Sequence, residues 1–142
     1  MAGLDNYVKR WRTALHITLS ALIVVVFGLT ITPSAHAAAA TATLAVEHTW
    51  QTGFIAHFTI TNSSTVPLND WKLEFDMPVG QSVSHTWNST LAQSGTHYVL
   101  TPANWNRTVA PGGSATGGLR GVLTGSYSPP SNCRLNGQYL CT

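Results

Sequence analysis

Three tryptophans lie in polar stretches of the sequence, outside any apolar run. Trp87 is followed by Asn-Ser-Thr, Trp105 stands between two asparagines, and Trp50 is followed by Gln-Thr-Gly. Burial of a large aromatic side chain normally gains about 1.5–3 kcal/mol or more, so an indole in polar sequence is either buried by the fold or used for binding. We predict that Trp50, Trp87 and Trp105 are exposed and form one flat binding surface.

The carboxylates do not favour hydrolytic chemistry. Hydrolysis of a glycoside usually requires two carboxylates that face each other across the bond. Glu74 and Asp76 alternate along one strand beside Lys72, a pattern typical of a solvated surface. Asp70 lies in the turn before that strand, and Glu47 is isolated. The sequence therefore predicts a protein without a catalytic site.

Three histidines allow a different chemistry. His48, His57 and His85 could converge on the face that carries Trp50 and Trp87. Three imidazoles can bind zinc or copper, which leaves a secreted, metal-dependent polysaccharide-active enzyme as an alternative. The simpler interpretation is that each histidine is a surface hydrogen-bonding group near a ring. On this interpretation we predict no metal and no cofactor.

The first 37 residues have the pattern of a secretory signal peptide. Basic residues up to Arg12 precede a largely apolar stretch at 14–32, and Ala35 and Ala37 form an A-x-A cleavage motif. We predict cleavage after Ala37 and secretion to the extracellular space. Because the apolar stretch approaches the length that spans a bilayer, an uncleaved membrane anchor is the alternative.

The chain after the predicted cleavage site has no net charge when its histidines are neutral. Four cations balance four anions there: Lys72, Arg107, Arg120 and Arg134 against Glu47, Asp70, Glu74 and Asp76. No basic patch remains for nucleic acid. Low charge with abundant Thr, Ser, Asn and Gly favours an uncharged partner, such as a neutral polysaccharide.

Short strands separated by turn residues predict an all-β domain over residues 44–142, preceded by an Ala/Thr spacer at 38–43. The clearest alternation runs from Trp71 to Met77, where every second side chain is apolar and is expected to point inward. Turn signals recur along the chain, and no window after the spacer has sustained helical periodicity. We therefore predict a two-sheet antiparallel β-sandwich.

Strict alternation conflicts with these expectations near His85. It would place Val83, His85 and Trp87 on one face, whereas we expect Val83 in the core and Trp87 in solvent. A β-bulge or a strand end near His85 would reconcile the two.

Two cysteines in an exported chain indicate one disulfide. Cys133 and Cys141 flank Asn136-Gly137, a hairpin-turn signal. A three-residue loop at 136–138 would place the cysteines opposite each other, and so small a ring would contribute about 2.5 kcal/mol. Two free thiols, or a metal pair lacking its other ligands, are the alternatives.

An ordered set of short motifs resembles a family 2 carbohydrate-binding module of the cellulose-binding subgroup. The motifs are WQTGF at 50–54, DWKLEF at 70–75, TWNST at 86–90, QSG at 93–95, NWN at 104–106, APGG at 110–113, and LNG at 135–137 with the final Cys-Thr. The resemblance spans about residues 46–142. It implies a β-sandwich of about nine strands, immunoglobulin-like or jelly-roll-like, and binding without catalysis.

The resemblance also implies roles for individual residues. Trp50, Trp87 and Trp105 would form a planar strip that stacks on the pyranose faces of crystalline cellulose, whereas Trp71 corresponds to the buried tryptophan of the family. The xylan-binding subgroup has an arginine at the position of Gly53, which turns the neighbouring ring upright. Glycine there would let Trp50 lie flat.

The sequence departs from the family on the binding face. The family's polar partners there are mostly Asn and Gln, and the corresponding positions here are His48, His57, His85, Thr116 and Arg120. All five can bond sugar hydroxyls, so we include them in the expected carbohydrate-binding set. The family's disulfide joins the two ends of the domain, and Cys141 matches its C-terminal partner. Cys133 stands where the family has a core residue.

Together these observations predict an exported, stand-alone and monomeric module that binds insoluble β-1,4-linked polysaccharide, namely cellulose and by extension chitin. No nucleic acid, no membrane after cleavage and no cofactor are expected. The alternatives are the histidine-liganded enzyme and a membrane-anchored cellulose adhesin.

Overall fold

The computed structural model describes residues 39–142. The predicted signal peptide lies outside the described residues. Within residues 39–142, no helix has the length and apolar character needed to cross a membrane.

All regular structure in the described part of the chain is β-strand. The strands are β1 (Ala40–Trp50), β2 (Gly53–Asn62), β3 (Leu68–Asn69), β4 (Leu73–Asp76), β5 (Gln81–Trp87), β6 (Ser89–Ser94), β7 (His97–Pro102), β8 (Thr108–Val109), β9 (Ser114–Leu123), β10 (Ser131–Leu135) and β11 (Tyr139–Leu140).

Nine of these strands form two antiparallel sheets. One sheet has four strands in the order β1-β2-β9-β5, and the other has five in the order β11-β10-β4-β7-β6. The short strands β3 and β8 pair with each other. The predicted two-sheet sandwich is confirmed.

Apolar side chains from the inner faces of the two sheets form the core. Phe54 and Phe58 of β2 are fully buried, as are Phe75 of β4 and Leu100 of β7. Trp71, just before β4, is also fully buried, and its ring centroid lies 5.5 Å from that of Phe58. The prediction that Trp71 belongs to the core is confirmed.

The predicted spacer at 38–43 is wrong over most of its length. Strand β1 begins at Ala40, which pairs with Asn62 of β2. Ala40 and Ala42 are buried in the core, whereas Thr41 and Thr43 point outward. The alternation is present in the sequence, but alanine carries little hydrophobic signal and a low strand propensity, so the pattern did not indicate a strand.

Strand β5 contains the irregularity expected near His85. Val83 pairs with Gly121 of β9, and His85 pairs with the adjacent Arg120, so Ser84 is an extra residue in the strand. This β-bulge reverses the alternation. Val83 is therefore buried while Trp87 lies on the outer face.

The C-terminal hairpin has the predicted register. Arg134 pairs with Leu140, and Cys133 and Cys141 form a disulfide with a Cα–Cα distance of 5.3 Å. Asn136 and Gly137 supply the two positive φ angles of the turn, at 52° and 70°. The local disulfide is confirmed.

Candidate functional site

The outer face of the four-stranded sheet brings together all the predicted site residues except Trp105. Residues paired across neighbouring strands point to the same side of a sheet, so the register fixes which side chains share this face. We call it the tryptophan face, and it carries Trp50 and His48 from β1, His57 from β2, His85 and Trp87 from β5, and Thr116 and Arg120 from β9.

Trp87 lies directly against the backbone of β9. Its strand neighbour is Gly118, and a Cβ built on that glycine would stand 2.1 Å from Cζ2 of the indole. Any side chain at 118 would therefore have to displace the ring. The ring is half-buried because the sheet covers one of its sides.

Trp50 is held in the same way at the other end of the face. A Cβ on its partner Gly53 would stand 2.6 Å from Cζ2 of the ring, and the side chain is 39% exposed. Any side chain at position 53 would therefore have to displace the Trp50 ring. The guanidinium carbon of Arg120 lies 5.7 Å from the ring centroid, within cation–π distance.

Trp105 lies in the loop between β7 and β8 and is 72% exposed. The next residue, Asn106, is only 8% exposed and ties this loop to two other parts of the fold. Its side-chain amide donates to the Asn88 carbonyl at 2.8 Å, immediately after Trp87. Its own carbonyl accepts a hydrogen bond from Nε1 of buried Trp71 at 3.0 Å. The loop of the third ring is thus anchored both to the strand of the second ring and to the core.

Sequence reasoning missed Asn88 and Asn106. Asn88 has a positive φ of 60° and donates from its side chain to the Thr116 carbonyl at 3.0 Å, which joins the end of β5 to β9. These bonds connect residues 28 and 18 positions apart in the chain. The only local signal was an Asn after each of two tryptophans.

Glu47 is a third residue whose role the sequence did not indicate. It lies at a register shift between Val46 and His48, and its Oε2 is 2.5 Å from Nε2 of His57. The His57 ring meets Trp87 edge-on, with centroids 5.4 Å apart. Glu47 therefore fixes an imidazole that packs against the second tryptophan.

The three histidines do not converge. His48 and His85 lie on the two edge strands of the sheet. Three strand spacings separate them, or about 14 Å measured across the sheet. Within residues 39–142 there is no group of three His, Cys, Asp or Glu side chains arranged to hold a metal ion. The geometry does not support the metal-dependent alternative.

The carboxylates Glu74 and Asp76 lie on the outer face of the other sheet, as the alternation of β4 predicted. Hydrogen bonds from Asn132 at 2.8 Å and with His97 at 2.7 Å hold the pKa of Asp76 below its ordinary value of 3.8. Lys72 pairs with Glu74 at 3.3 Å. This charged cluster is on the opposite side of the sandwich from the tryptophan face.

Proteins with similar sequences include a cellulose/chitin binding protein and a chitinase. The chain is 78% identical over its full length to a cellulose/chitin binding protein of Mycobacterium tuberculosis, all of which is covered. Over 87% of its length it is 40% identical to chitinase C of Streptomyces lividans, where it matches 19% of that protein.

Two solved structures share the fold. The chitin-binding domain of Chi18aC from Streptomyces coelicolor matches with a TM-score of 0.62 and 41% identity, over 73% of this chain and 96% of that one. The cellulose-binding family 2 carbohydrate binding domain from ScLPMO10C matches with a TM-score of 0.56 and 30% identity, over 66% of this chain and 91% of that one.

The family model for the cellulose binding domain matches residues 40–141, which is nearly all of the described chain. The match begins at the first residue of β1 and includes all the residues of the tryptophan face. The chain therefore belongs to the cellulose binding domain family, the family 2 carbohydrate-binding modules.

Proposed function

We propose that this protein attaches to insoluble β-1,4-linked polysaccharide through the tryptophan face together with Trp105, and that it has no catalytic activity. The observation that carries the proposal is the placement of two indoles against glycines, Trp50 on Gly53 and Trp87 on Gly118. Each ring is supported by backbone on one side. A supported aromatic ring is a platform for stacking, and such platforms suit a regular, flat polymer.

Stacking on sugar rings is favourable because the C–H faces of β-linked glucose are apolar. If each ring and its sugar bury roughly 100–150 Å² together, three rings give about 8–11 kcal/mol at 25 cal/mol per Å². The entropy lost on association offsets about half of this gain or more. The expected result is modest affinity per site on a lattice that offers many overlapping sites.

We propose cellulose and chitin as the polymers, and membership of the cellulose-binding subgroup. The names of the relatives support both polymers. The close approach of the Trp50 ring to Gly53 supports the subgroup, because the resemblance assigns an arginine at this position to xylan binders.

We also propose that the protein is exported. The disulfide between Cys133 and Cys141 supports this, since such bonds persist mainly in oxidising compartments. Cellulose and chitin are themselves extracellular polymers.

A depletion assay tests the proposal. The protein is mixed with microcrystalline cellulose, chitin or insoluble xylan, and the unbound fraction is measured. We expect depletion by cellulose and chitin and little by xylan, and we expect Trp105→Ala to reduce it. No depletion by any polymer, or equal depletion of the Trp105→Ala variant, would contradict the proposal.

A further inference from the structure

A row of basic side chains crosses the tryptophan face between the rings of Trp50 and Trp87. His48 of β1 pairs with Ile55 of β2, Ile55 pairs with Arg120 of β9, and Arg120 pairs with His85 of β5. His48, Arg120 and His85 are all exposed. On β2, Ile55 lies two residues from Gly53, which is beneath Trp50, and two residues from His57, which is aligned with Trp87 across the sheet. The basic side chains therefore lie between the two rings.

Arg120 has no carboxylate partner among residues 39–142. Glu47 is the carboxylate on this face, and its oxygens lie near His57 and, at 3.9 Å, near His48. Of the other carboxylates, Asp70 pairs with Arg107, while Glu74 and Asp76 lie on the opposite sheet. The guanidinium therefore meets solvent and the Trp50 ring without a countercharge.

A neutral polymer laid across this face would remove water from Arg120 and offer only uncharged hydroxyl groups in its place, which leaves the buried cation without a countercharge and is unfavourable. A carboxylate on the polymer would supply the countercharge. Arginine is well suited to the task because its planar fork can donate two parallel hydrogen bonds to a carboxylate. The guanidinium lies 5.7 Å from the Trp50 centroid, so a substituent on a sugar stacked on that ring comes within its reach.

We propose that the tryptophan face recognises carboxylate-bearing β-1,4-linked polysaccharide, such as a glucan whose C6 hydroxymethyl groups are oxidised to carboxylates, and that Arg120 is the residue that binds the carboxylate. The inference rests on the proposed function, since stacking on the tryptophans brings the polymer to Arg120. It adds an acidic ligand class to the neutral polymers.

The preference has a defined dependence on salt. Arg120 and the two histidines of the row are exposed, so dissolved ions screen their attraction to a carboxylate. Salt therefore weakens the preference for the carboxylated polymer.

The test compares cellulose nanofibrils before and after oxidation at C6. Dissociation constants are measured for both materials at neutral pH, in low and in high salt. We expect about three-fold tighter binding to the oxidised fibrils in low salt, the size of effect that one exposed ion pair provides. The preference should shrink in high salt.

Two arginine variants separate a local contact from a general effect of net charge. Arg120→Gln should lose the preference, so that its dissociation constants for the oxidised and the neutral fibrils become equal within error. Arg134→Gln removes the same charge from β10, on the other sheet, and should retain the preference. Melting temperatures of both variants check that the fold is intact.

Equal binding of the parent protein to both materials, or the same loss in both variants, would overturn the inference while leaving the proposed function in place. Failure to bind the neutral fibrils at all would overturn the proposed function, and the inference with it.

Discussion

At the scale of single residues, the position of the Trp105 loop depends on a buried neighbour of the ring. Asn106 is buried next to exposed Trp105, and it is the point where the loop of the third ring meets Asn88 and Trp71. The sequence was sufficient to separate Trp71, at the start of an alternating apolar stretch, from the tryptophans in polar sequence. It could not reveal Asn106, because hydrogen bonds between distant positions leave no periodic pattern.

Asn106→Ala should lower the free energy of unfolding by about 1–3 kcal/mol, since it removes a largely buried hydrogen bond and leaves the Asn88 carbonyl without its donor. It should also weaken cellulose binding, because the loop of Trp105 loses its attachment to the end of β5. Urea denaturation and a cellulose binding isotherm measure the two effects. Asn104→Ala, an exposed change on the other side of Trp105, is the matched control. Wild-type affinity in Asn106→Ala would show that the anchor is not needed.

At the scale of elements, β9 uses glycines on both of its faces for different purposes. Gly118 faces outward beneath Trp87, while a Cβ on Gly121 would stand 1.9 Å from Cε1 of buried Phe54. The sequence indicated a glycine-rich strand but not which glycine lies under which ring, because that depends on the register with β2 and β5. The bulge in β5 followed from a conflict in the alternation. The register shift beside Glu47 produced no such conflict and was not predicted.

Gly118→Ala and Gly121→Ala should therefore have different consequences. Gly118→Ala forces the Trp87 ring away from the sheet and should weaken cellulose binding several-fold, with a smaller loss of unfolding free energy than Gly121→Ala. Gly121→Ala overpacks the core and should cost about 1–3 kcal/mol of unfolding free energy. Binding isotherms and urea denaturation of both variants provide the comparison. If Gly118→Ala bound cellulose as tightly as the parent protein, the contact of the Trp87 ring with Gly118 would have no part in binding.

At the scale of the whole domain, the two outer faces of the sandwich differ in chemistry. The tryptophan face carries rings and a basic row, whereas the opposite face carries the cluster around Asp76. The overall sandwich was predictable because turn signals and alternation recur along the chain. The start of β1 at Ala40 was not predictable, because Ala40 and Ala42 are buried in the core although alanine adds little to a pattern of alternating hydrophobicity.

Acid should destabilise the domain through Asp76. Its pKa is lowered in the folded state by hydrogen bonds, first from Asn132 and then from His97. The carboxylate therefore contributes stability above the unfolded value of about 3.9, and this contribution is lost as the pH falls through the lower folded value. Melting temperatures between pH 6 and pH 2 should show the loss.

Asn132→Gly is the diagnostic variant, because glycine tolerates the positive φ of 52° at this position. It removes the first cause of the lowered pKa. The stability difference between parent and variant should be constant above about pH 5 and should narrow below about pH 3.9. A difference that stays constant down to pH 2 would mean that this hydrogen bond does not favour the carboxylate.

The most direct test of the stacking account is the behaviour of the individual indoles during binding. In a titration with soluble cello-oligosaccharide followed by nuclear magnetic resonance, the Nε1–H signals of Trp50, Trp87 and Trp105 should shift together and saturate with one affinity. The signal of Trp71 should stay in place, since its Nε1 donates to the Asn106 carbonyl inside the core. If the Trp71 signal moved most, or if the signals of Trp50, Trp87 and Trp105 did not respond, sugar would bind elsewhere on the domain and the account of the tryptophan face would be wrong.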